Sequence, residues 1–439
     1  MKKNLDKFNH QDTIAVITSF PNPKEGAKRK REFNAIAWHS EKTLKNLSNY
    51  RRVIVLAEKN SYKGQSYFVN KNLGVKRVWS KKSNFSILSL AWEVLKMDYI
   101  KTVYIPFEFN LFGGTIHNLL FLFVLLILRL RQKRIVIEVH QVIENVEKLS
   151  KHVNIQGRIL PAFYNLGLKI YYFLFGLLAN NIIVFEQELK NRLKKYVPET
   201  KIITLSLSTQ KNKLTNKIYA RKKLGLPKKD FLVMAFGYIN GYKGLDFMVE
   251  AFAKSQTRNI RLVIAGGKNP YLRDQKFYQR FYRNLISKAE TIKKIILTGF
   301  VPDKKVGLYF SAADLIVLPY EVFMSASGPF SLALSYGKPI ILSNKLIPYF
   351  KSADFRLSLK EAKLGLNDIF FPLNSAFLLA LIKKIKSNKN LYHQLLLFSK
   401  SLAVKRSSKS VKHNYLSIFF PPLRPSLKGG ETRVNLAYN

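Results

Sequence analysis

The chain of 439 residues carries 74 lysines and arginines against 27 acidic residues, which gives a formal net charge of +47. This charge favours anionic partners, such as nucleic acids, anionic lipid headgroups and phosphorylated small molecules, but does not by itself separate them. A hydrophobic content of 47% allows a large core, which excludes an intrinsically disordered protein. Because the chain has no cysteine, disulfides, zinc-thiolate sites and thiol nucleophiles are excluded.

Segments that direct a protein to or across a membrane are not evident in the sequence. The charged N-terminus leads into only a brief apolar strand before Pro21, so it lacks the apolar region of a signal peptide. The apolar runs at residues 119–128 and 170–179 are short, whereas a helix that spans a bilayer needs about 20 residues. Both runs have basic neighbours. We expect a cytoplasmic protein, which could also attach peripherally to the inner face of the membrane.

The first half of the chain alternates short β-branched runs with helical stretches. The predicted strands are residues 13–18, 52–57, 75–79, 102–105, 134–139 and 181–185. Runs of this kind are almost wholly apolar, as expected for parallel strands that are covered on both faces. Residues 1–205 are therefore predicted to form a Rossmann-like domain on the acceptor side.

A second αβα domain is predicted after a polar linker at residues 206–229. Its strands are expected at residues 231–236, 261–265, 294–298, 315–318 and 339–342, within a nucleotide-binding domain of residues 230–375. Helices are expected at residues 376–404, followed by a basic tail at 405–439 that is predicted to be mobile. The fold class is α/β, with two doubly wound Rossmann-like domains that face each other across a cleft.

A phosphate site is predicted directly after the strand at 231–236, where the sequence reads FGYINGYKGLD. Gly237 and Gly244 allow close approach of a ligand to the backbone, and Lys243 supplies a positive charge. The competing interpretation is an ordinary glycine-containing loop with a surface lysine. The position after a strand favours the binding site, because ligands of doubly wound sheets bind beyond the carboxyl ends of the strands.

A helix is predicted to begin in the segment SASGPFSLALSYGKPIILS, which follows the strand at 315–318. Ser327 is placed as the N-cap, Gly328 as a small first residue and Pro329 as an early helix proline. The amides at this helix end, with the hydroxyls of Ser325 and Ser327, suit a diphosphate. Taken alone, the segment is more typical of a helix cap than of an anion site, and its pairing with Lys243 favours the anion site.

Two further candidates lie in the N-terminal half. His140 ends the run EVHQV after the strand at 134–139, where it could contact a reacting sugar or could be a structural hydrogen-bonded residue. Glu138 is expected to point the other way. The loop SFPNPKEGAKRKREF contains Gly26 and Lys28, which are candidates for contact with an acceptor phosphate or a membrane, although most such basic runs are simply solvated.

The second half, from residue 231 to 343, resembles glycosyltransferase family 4, a group of retaining GT-B enzymes. The resemblance rests on the order and spacing of FGYINGYKGLD, LVIAGG, ILTGFVPDKKVGLYFSAADLIVLPY and SASGPFSLALSYGKPIILS, and more weakly on SFPNP and EVHQV. It implies that Lys243 holds the donor diphosphate, that Gly328 with Ser327 presents amides to it, and that His140 lies beside the transferred sugar. It also places Gly266 in the donor half and Gly26 near the cleft floor.

The sequence departs from the pattern of that family at three positions. Met324 and Leu332 stand where many members carry two glutamates separated by seven residues, the second of which contacts ribose. Tyr238 stands where an arginine usually follows the glycine of the first loop. Glu321 is a candidate to replace the first missing glutamate, or an exposed loop carboxylate.

The predicted activity is transfer of a sugar from a nucleotide diphosphate donor to a glycan or lipid-linked acceptor, with retention. The chain has no Asp-x-Asp pair, so we expect no metal site, and the nucleotide-sugar is a substrate rather than a cofactor. Two alternatives remain open. One is a basic nucleic-acid-binding protein, suggested by the charge and by aromatic residues among basic ones in KFYQRFYRN. The other is a GT-B epimerase or a relic that binds nucleotide without turnover.

Overall fold

The structure is a computed structural model that describes residues 5–22, 35–59, 66–109, 111–149, 159–407 and 415–419. The described residues form two sheets, each flanked by helices on both faces, and each sheet belongs to one half of the chain. The sequence-based prediction of two doubly wound Rossmann-like domains is confirmed by this architecture.

The first sheet has eight strands in the order β3-β4-β2-β1-β5-β6-β7-β8. Its strands are β1 (Thr13–Thr18), β2 (Arg52–Glu58), β3 (Ser66–Asn70), β4 (Leu73–Trp79), β5 (Thr102–Phe107), β6 (Arg134–Val139), β7 (Asn181–Phe185) and β8 (Ile202–Leu205). All neighbouring pairs are parallel except β3 with β4, which are antiparallel. The order reverses direction between β1 and β5, so a crevice opens at the carboxyl ends of these two strands.

In the described part of the first half, five helices cover the first sheet. They are α1 (Ala35–Leu47), α2 (Leu88–Leu95), α3 (Thr115–Leu130), α4 (Ile159–Leu178) and α5 (Gln187–Leu193). Because both faces are covered, the central strands are buried along their length, and Val103, Ile135 and Ile182 are fully enclosed. The two apolar runs noted in the sequence lie in α3 and α4. Within the described ranges, no helix combines the length and the apolar character needed to cross a bilayer.

The second sheet has six strands in the order β11-β10-β9-β12-β13-β14. Its strands are β9 (Phe231–Phe236), β10 (Ile260–Ala265), β11 (Ile295–Leu297), β12 (Leu315–Leu318), β13 (Ile340–Ser343) and β14 (Phe370–Phe371). All its pairs are parallel. This is the strand order of a dinucleotide-binding sheet, and its reversal lies between β9 and β12.

The helices of the second half are named in chain order. They are α6 (Lys217–Leu224), α7 (Leu245–Lys254), α8 (Lys276–Glu290), α9 (Asp303–Ala312), α10 (Gly328–Ser335), α11 (Ala353–Glu361), α12 (Leu366–Ile369), α13 (Ser375–Ser387) and α14 (Lys389–Lys405). The last two lie in the region predicted to be helical after residue 375. A final helical turn occupies residues 415–419.

The structure differs from the prediction in the segment 206–229, which contains helix α6 rather than only a linker. The side chain of Asn216 caps this helix by accepting from the amides of Ile218 and Tyr219. The Arg221 guanidinium is buried and donates to Asp314 Oδ2 at 2.5 Å, which ties α6 to the strand β12 that follows. The polar composition therefore reflects a helix that is half exposed, not an extended connection.

The structure also differs from the predicted mobile tail at residues 415–419. Ile418 and Phe419 are buried in this turn, and Arg134 of β6 donates to the carbonyl oxygens of both. The turn therefore packs on the first domain although the chain enters it from the second. Its apolar residues Ile418 and Phe419, which follow a basic segment, are the signal that the composition of the tail obscured.

Three strands were missing from the prediction. Strand β3 is an antiparallel edge strand with only one buried residue, Tyr67, so its sequence has little apolar character. Strand β8 is also at an edge, and β14 has only two residues. Short edge strands depend on their neighbour for hydrogen bonds and carry a weak pattern of their own.

Arg406 joins the two halves at the end of α14. Its buried guanidinium forms ion pairs with Glu186, which follows β7 in the first domain, and with Asp354 of α11 in the second, at 2.8 Å from Nε to Oδ2. Ser352 and Ser206 add hydrogen bonds to these two carboxylates at 3.1 Å each. The two sheets are thus held together by a buried charged cluster near the chain crossover.

Candidate active-site cleft

The first part of the site lies where the strand order of the second sheet reverses, between β9 and β12. Gly237 follows β9 with φ of +106°, in a region that favours glycine. A Cβ placed on Gly237 would come within 2.9 Å of Lys243 Nζ and 3.2 Å of Pro329 Cγ. The loop after β9, the lysine and the first turn of α10 therefore meet at one point, as the sequence predicted for a phosphate site.

Lys243 is the main electrostatic feature of this point. Its side chain is only 7% exposed, and burial lowers its pKa to about 8. Among the described residues, Nζ has neither an ion pair nor a hydrogen-bond partner within range. A buried cation that lacks an opposite charge is costly unless an anion joins it, so the geometry suits a diphosphate.

The first turn of α10 lies beside Lys243. Ser327 is the N-cap, and its hydroxyl accepts from the amide of Phe330 at 3.3 Å and pairs with the Tyr320 hydroxyl at 2.9 Å. Its own amide donates to the Tyr349 hydroxyl at 3.1 Å. Ser327 is thus occupied as a cap, whereas the space around the Cα of Gly328 is open. Pro329 has no amide hydrogen, and the amides of Phe330 and Ser331 both donate to Ser327, so among the described first-turn groups the Gly328 amide is the one left to meet an anion.

Two predicted donor residues, Gly244 and Gly266, are required by close packing. A Cβ on Gly244, whose φ is +63°, would lie 2.0 Å from the carbonyl oxygen of Pro319, and one on Gly266 would lie 1.9 Å from the carbonyl oxygen of Gly237. Any side chain at these positions would push the backbone away. The glycines therefore place the phosphate loop, which is an indirect role in the site.

A cavity of about 450 Å³ opens next to this point. It lies beyond β9 and β10, and of the described residues of the first domain Trp38 of α1 lines it. Tyr238 and Phe300 stack with ring centroids 6.3 Å apart, and both line the cavity together with Leu332. The volume and the mixture of aromatic groups and exposed backbone suit a nucleoside.

The second part of the site lies at the carboxyl edge of the first sheet, where His140 follows β6. His140 Nε2 lies 2.8 Å from Glu138 Oε1, and His39 Nε2 of α1 lies 2.9 Å from the same oxygen. The expectation that Glu138 points away from His140 is wrong, because residues two apart in a strand share a face. Both imidazole rings also contact Phe185.

The second oxygen of Glu138 is also occupied. It accepts from the hydroxyl of Tyr104 at 2.6 Å and from the hydroxyl of Tyr415, and Glu138 is fully buried. Burial disfavours the charge on Glu138, but His39 and His140 outweigh it and hold its pKa well below the usual range. The ligand atoms of His39, Glu138 and His140 lie within 4.8 Å of one another, so these three are the residues among those described that could hold a metal ion.

The two parts of the site are joined by short contacts across the cleft. Gln141 pairs with Ser325 in an antiparallel bridge, which brings the segment before α10 beside His140. Gln141 Nε2 also donates to Glu108 Oε1 at 2.6 Å, and burial raises the pKa of Glu108. Ser325 is thus close to the reacting region, while the backbone of Glu321 donates to Tyr242 at 2.8 Å at the edge of the phosphate loop.

The remaining predicted site residues, Gly26 and Lys28, lie outside the described residues. Sequence reasoning missed the groups contributed by distant elements, which are Trp38, His39, Tyr104, Glu108 and Tyr415. The spacing of Glu138 and His140 was the one available signal, because a carboxylate and a histidine two apart in a strand face the same side. The others carry no local pattern.

Comparisons with known proteins agree with the geometry. Residues 216–349 match the family described as Glycosyl transferases group 1. An uncharacterised glycosyltransferase of Methanocaldococcus jannaschii is 27% identical over 132 residues, which cover 29% of this chain and 31% of that protein. The match thus spans about a third of the length of that relative.

Solved structures share the whole architecture. Sucrose-phosphate synthase from Thermosynechococcus elongatus superimposes with a TM-score of 0.66 at 14% identity, over 93% of this chain and 98% of that one. Anabaena HepE, in complex with UDP and glucose, gives a TM-score of 0.64 at 14% identity, over 92% and 98% of the two chains. WaaG, a glycosyltransferase involved in lipopolysaccharide biosynthesis, gives 0.59 at 15% identity, over 93% and 100%. The chain therefore has the GT-B fold, and the match of residues 216–349 to the Glycosyl transferases group 1 family supports a glycosyltransferase.

Proposed function

We propose that this protein transfers a sugar from a nucleoside diphosphate donor to a glycan or lipid-linked acceptor at a membrane surface. The observation that carries the proposal is the buried Lys243 beside Gly237 and the open first turn of α10. Breaking the bond between the sugar and the diphosphate leaves negative charge on the β-phosphate. A preorganised cation and the Gly328 amide at the positive end of α10 stabilise the transition state there more than the ground state.

The donor is proposed to place its nucleoside in the cavity that Trp38, Tyr238 and Phe300 line, with its diphosphate at Lys243. Anabaena HepE, which has the same fold, binds UDP and glucose, so uridine nucleotides are the first candidates. The sugar would then extend toward Ser325 and the opposite domain, where His140 and Glu108 lie. This order along the cleft places the bond to be broken between the phosphate site and the first sheet.

The chemistry is proposed to retain the configuration of the sugar and to require no metal. Retention follows from the resemblance to family 4, in which the sugar leaves and the acceptor arrives on one face. Independence from metal is supported by Lys243 and the positive end of α10 at Gly328, which supply the positive charge that a cation supplies elsewhere. Activity that survives treatment with EDTA and gives products of unchanged anomeric configuration would support both points, and loss of activity with EDTA would overturn the second.

The acceptor side is proposed to contact an anionic membrane through α3 and α4, which pack on each other. Each helix carries a row of exposed apolar residues at spacings of three and four along one face. In α3 the row is Ile116, Leu119, Phe123, Leu126 and Leu130, and in α4 it is Ile159, Phe163, Leu166, Ile170, Phe173 and Leu177, with Leu160 also exposed next to Ile159. Ile159 is 88% exposed and Phe163 is 73% exposed, so these rows are not parts of the core.

The basic residues around these apolar rows also favour an anionic membrane as the partner. Arg129, Arg131 and Lys169 are exposed on or next to the two helices, and neither helix contains an acidic residue. An apolar face with basic flanks lies well in the interface of an anionic bilayer, where burial and phosphate attraction act together. Sedimentation with vesicles of phosphatidylglycerol and phosphatidylcholine should be strong at low salt and weaker at high salt. Absence of binding at every salt concentration would overturn the membrane proposal alone.

The donor proposal is tested by thermal unfolding with UDP, GDP, ADP, dTDP and their sugars. One nucleotide class should raise the midpoint of unfolding in the wild type, because ligand binding stabilises the native state. Lys243→Met should abolish this shift, while Lys268→Met, an exposed lysine in the loop after β10, should keep it. Removal of one partner from a desolvated charge pair costs about 2–5 kcal/mol, so Kd should rise by at least about 30-fold.

Product analysis with the selected donor separates transfer from its alternatives. Formation of a glycosylated acceptor supports the proposal, whereas interconversion of the nucleotide-sugar without an acceptor would indicate an epimerase. Binding without any turnover would indicate a relic. If no nucleotide shifts the midpoint and nucleic acid does, the basic nucleic-acid-binding protein becomes the better interpretation.

A further inference from the structure

The side chains around Glu138 form a closed hydrogen-bond set that the phosphate site does not explain. Four donors approach one carboxylate: His39 and His140 reach Oε1, and Tyr104 and Tyr415 reach Oε2. A carboxylate has about four lone-pair directions, so all its acceptor capacity is used. Glu138 is fully buried, and a buried charge that is so completely satisfied rigidifies its surroundings.

The protonation of this set is constrained by elementary chemistry. An ionised carboxylate accepts hydrogen bonds and cannot donate them, so each histidine must carry its proton on Nε2 toward Glu138. Burial and the charge of Glu138 raise the pKa of Tyr104 and Tyr415 well above the usual range, so both hydroxyls remain donors. In a neutral His140 the proton on Nε2 leaves Nδ1 with a lone pair.

We propose that Glu138 is a positioning residue, which fixes His140 as the Nε2-protonated tautomer so that Nδ1 accepts a hydrogen bond from a substrate hydroxyl. The proposal rests on the proposed function only for the identity of that substrate as a sugar or its acceptor. His140 lies in the cleft next to Gln141, which reaches Ser325 of the donor half. A fixed ring is needed there, because a small misplacement of a functional group lowers the rate steeply.

The C-terminal turn at residues 415–419 also contributes to the hydrogen-bond set around Glu138. Tyr415 donates to Glu138, and the Phe419 ring packs against the edge of Tyr104 with centroids 5.0 Å apart. Arg134, four residues before Glu138 in β6, holds the turn through the carbonyl oxygens of Ile418 and Phe419. The turn thus completes the hydrogen bonds to Glu138. The orientation of His140 therefore depends on residues that are far away along the chain.

The first test is the tautomer of His140 in the full-length wild-type protein labelled with ¹⁵N-histidine. The chain has seven histidines, and His140→Gln identifies the resonances of His140 by their loss. At pH 8.5 we expect a protonated Nε2 and an unprotonated Nδ1. A protonated Nδ1 would overturn the proposal. This measurement needs no turnover, so it stands even if the protein transfers no sugar.

Addition of ligands identifies which substrate hydroxyl donates to Nδ1 of His140. If the donor sugar supplies it, the nucleotide-sugar should shift the Nδ1 resonance while the free nucleotide does not. If the acceptor supplies it, the shift should appear only when the acceptor joins the bound nucleotide. An Nδ1 resonance that moves with none of these ligands contradicts a contact with substrate, although nucleotide binding itself would still be measurable by thermal unfolding.

Variants then separate positioning from a purely structural role. In Glu138→Gln the amide can either accept from an imidazole or donate to it, so the tautomer is no longer imposed and His140 should show a mixture. We expect kcat to fall by about 10- to 100-fold with the donor KM within about twofold, as for other partners that orient a functional histidine. Tyr415→Phe should reduce kcat by a few fold, and the exposed control Tyr219→Phe should not change it.

These variants also provide controls for misfolding. Unchanged nucleotide binding in Glu138→Gln shows that the second domain is intact, and Tyr415→Phe removes only one of the four donors. A Glu138→Gln protein that has a mixed tautomer but full kcat would overturn the positioning role. Full activity in Tyr415→Phe with an unchanged His140 spectrum would show that the C-terminal turn does not help to position His140.

Discussion

The donor half and the acceptor half of the cleft differ in how far apart along the chain their functional groups lie. The proposed donor site combines Gly237, Lys243 and the start of α10 at Gly328, all within one domain and all in or just after the loops that follow β9 and β12. The acceptor side combines His39, Glu138 and Tyr415, which come from opposite ends of the chain. A site of the first kind leaves a readable pattern, and a site of the second kind depends on the fold that assembles it.

The comparison with other proteins shows the same division. The family match covers residues 216–349, and the archaeal relative aligns over a stretch of similar length. The solved structures, by contrast, align with more than nine-tenths of the chain at identities of 15% or less. The architecture of both halves is therefore shared, whereas the sequence pattern is concentrated in the donor half.

The largest effect is expected where the two halves are joined. Arg406→Met would leave Glu186 and Asp354 without their shared cation, and breaking a buried ion pair costs about 3–5 kcal/mol. The free energy of unfolding should fall by about this amount, with the first and second domains separating into two transitions in urea. Arg356→Met, which removes an exposed arginine from α11, should cost less than about 1 kcal/mol. A fall of similar size in both variants would show that Arg406 does not join the domains.

A slightly smaller effect is expected within the donor half, from Gly244→Ala. The added Cβ would meet the Pro319 carbonyl oxygen at 2.0 Å in a backbone conformation that disfavours alanine, so we expect a loss of about 2–4 kcal/mol. Gly299→Ala is the matched control, because its φ of +64° is almost the same but no atom lies within 4 Å. That variant should lose only about 1 kcal/mol. Thermal unfolding with and without nucleotide measures both, and equal losses would contradict the role of close packing.

A smaller effect than that of either substitution is expected when the charge of Lys243 is titrated, which the pH dependence of nucleotide binding measures. Its folded pKa of about 8 is below its ordinary value of 10.5, so between these values the unfolded chain binds more protons. This lysine therefore makes the stability of the free protein rise as pH increases through that window. A bound diphosphate favours the protonated lysine, so nucleotide affinity should fall by about tenfold per pH unit above pH 8. Calorimetric titration at pH 7 to 10 checks this.

Lys243→Arg is the control for that titration, because arginine stays charged over the whole range. Its affinity at pH 7 could be lower, since the guanidinium is larger, but its pH dependence above pH 8 should disappear. A wild-type affinity that stays constant from pH 7 to 10 would show that the charge of Lys243 does not hold the nucleotide.

The smallest effect is expected on the outer face of the acceptor half. The double variant Phe163→Ser and Phe173→Ser removes two exposed rings from α4, and we expect binding to anionic vesicles to fall by about tenfold. Phe377→Ser together with Leu357→Ser removes exposed apolar residues from the second half and should leave vesicle binding unchanged. Nucleotide affinity should be the same in both variants. Equal vesicle binding by the two would place the membrane contact elsewhere.

Local physical rules allowed the sequence to predict the fold, which the structure confirms, and to suggest a donor site, which stays a prediction. The apolar runs of the central strands, such as residues 231–236 and 315–318, predicted their elements because strands covered on both faces must be apolar along their length. The phosphate site was predicted because its lysine, its glycines and its helix start each follow a strand within a short stretch of chain. Ser327 was assigned correctly as the N-cap, although the structure shows its hydroxyl and amide to be occupied.

The tertiary structure alone decided the surroundings of His140. The orientation of Glu138, the approach of His39 and the packing of the turn at 415–419 depend on contacts between residues that are far apart in the chain. No local pattern encodes such contacts, because burial and hydrogen bonding at a sheet edge are set by the elements that pack there. The sequence by itself thus determined the two Rossmann-like domains and predicted a phosphate site after β9, and the folded chain determined which side chains surround His140.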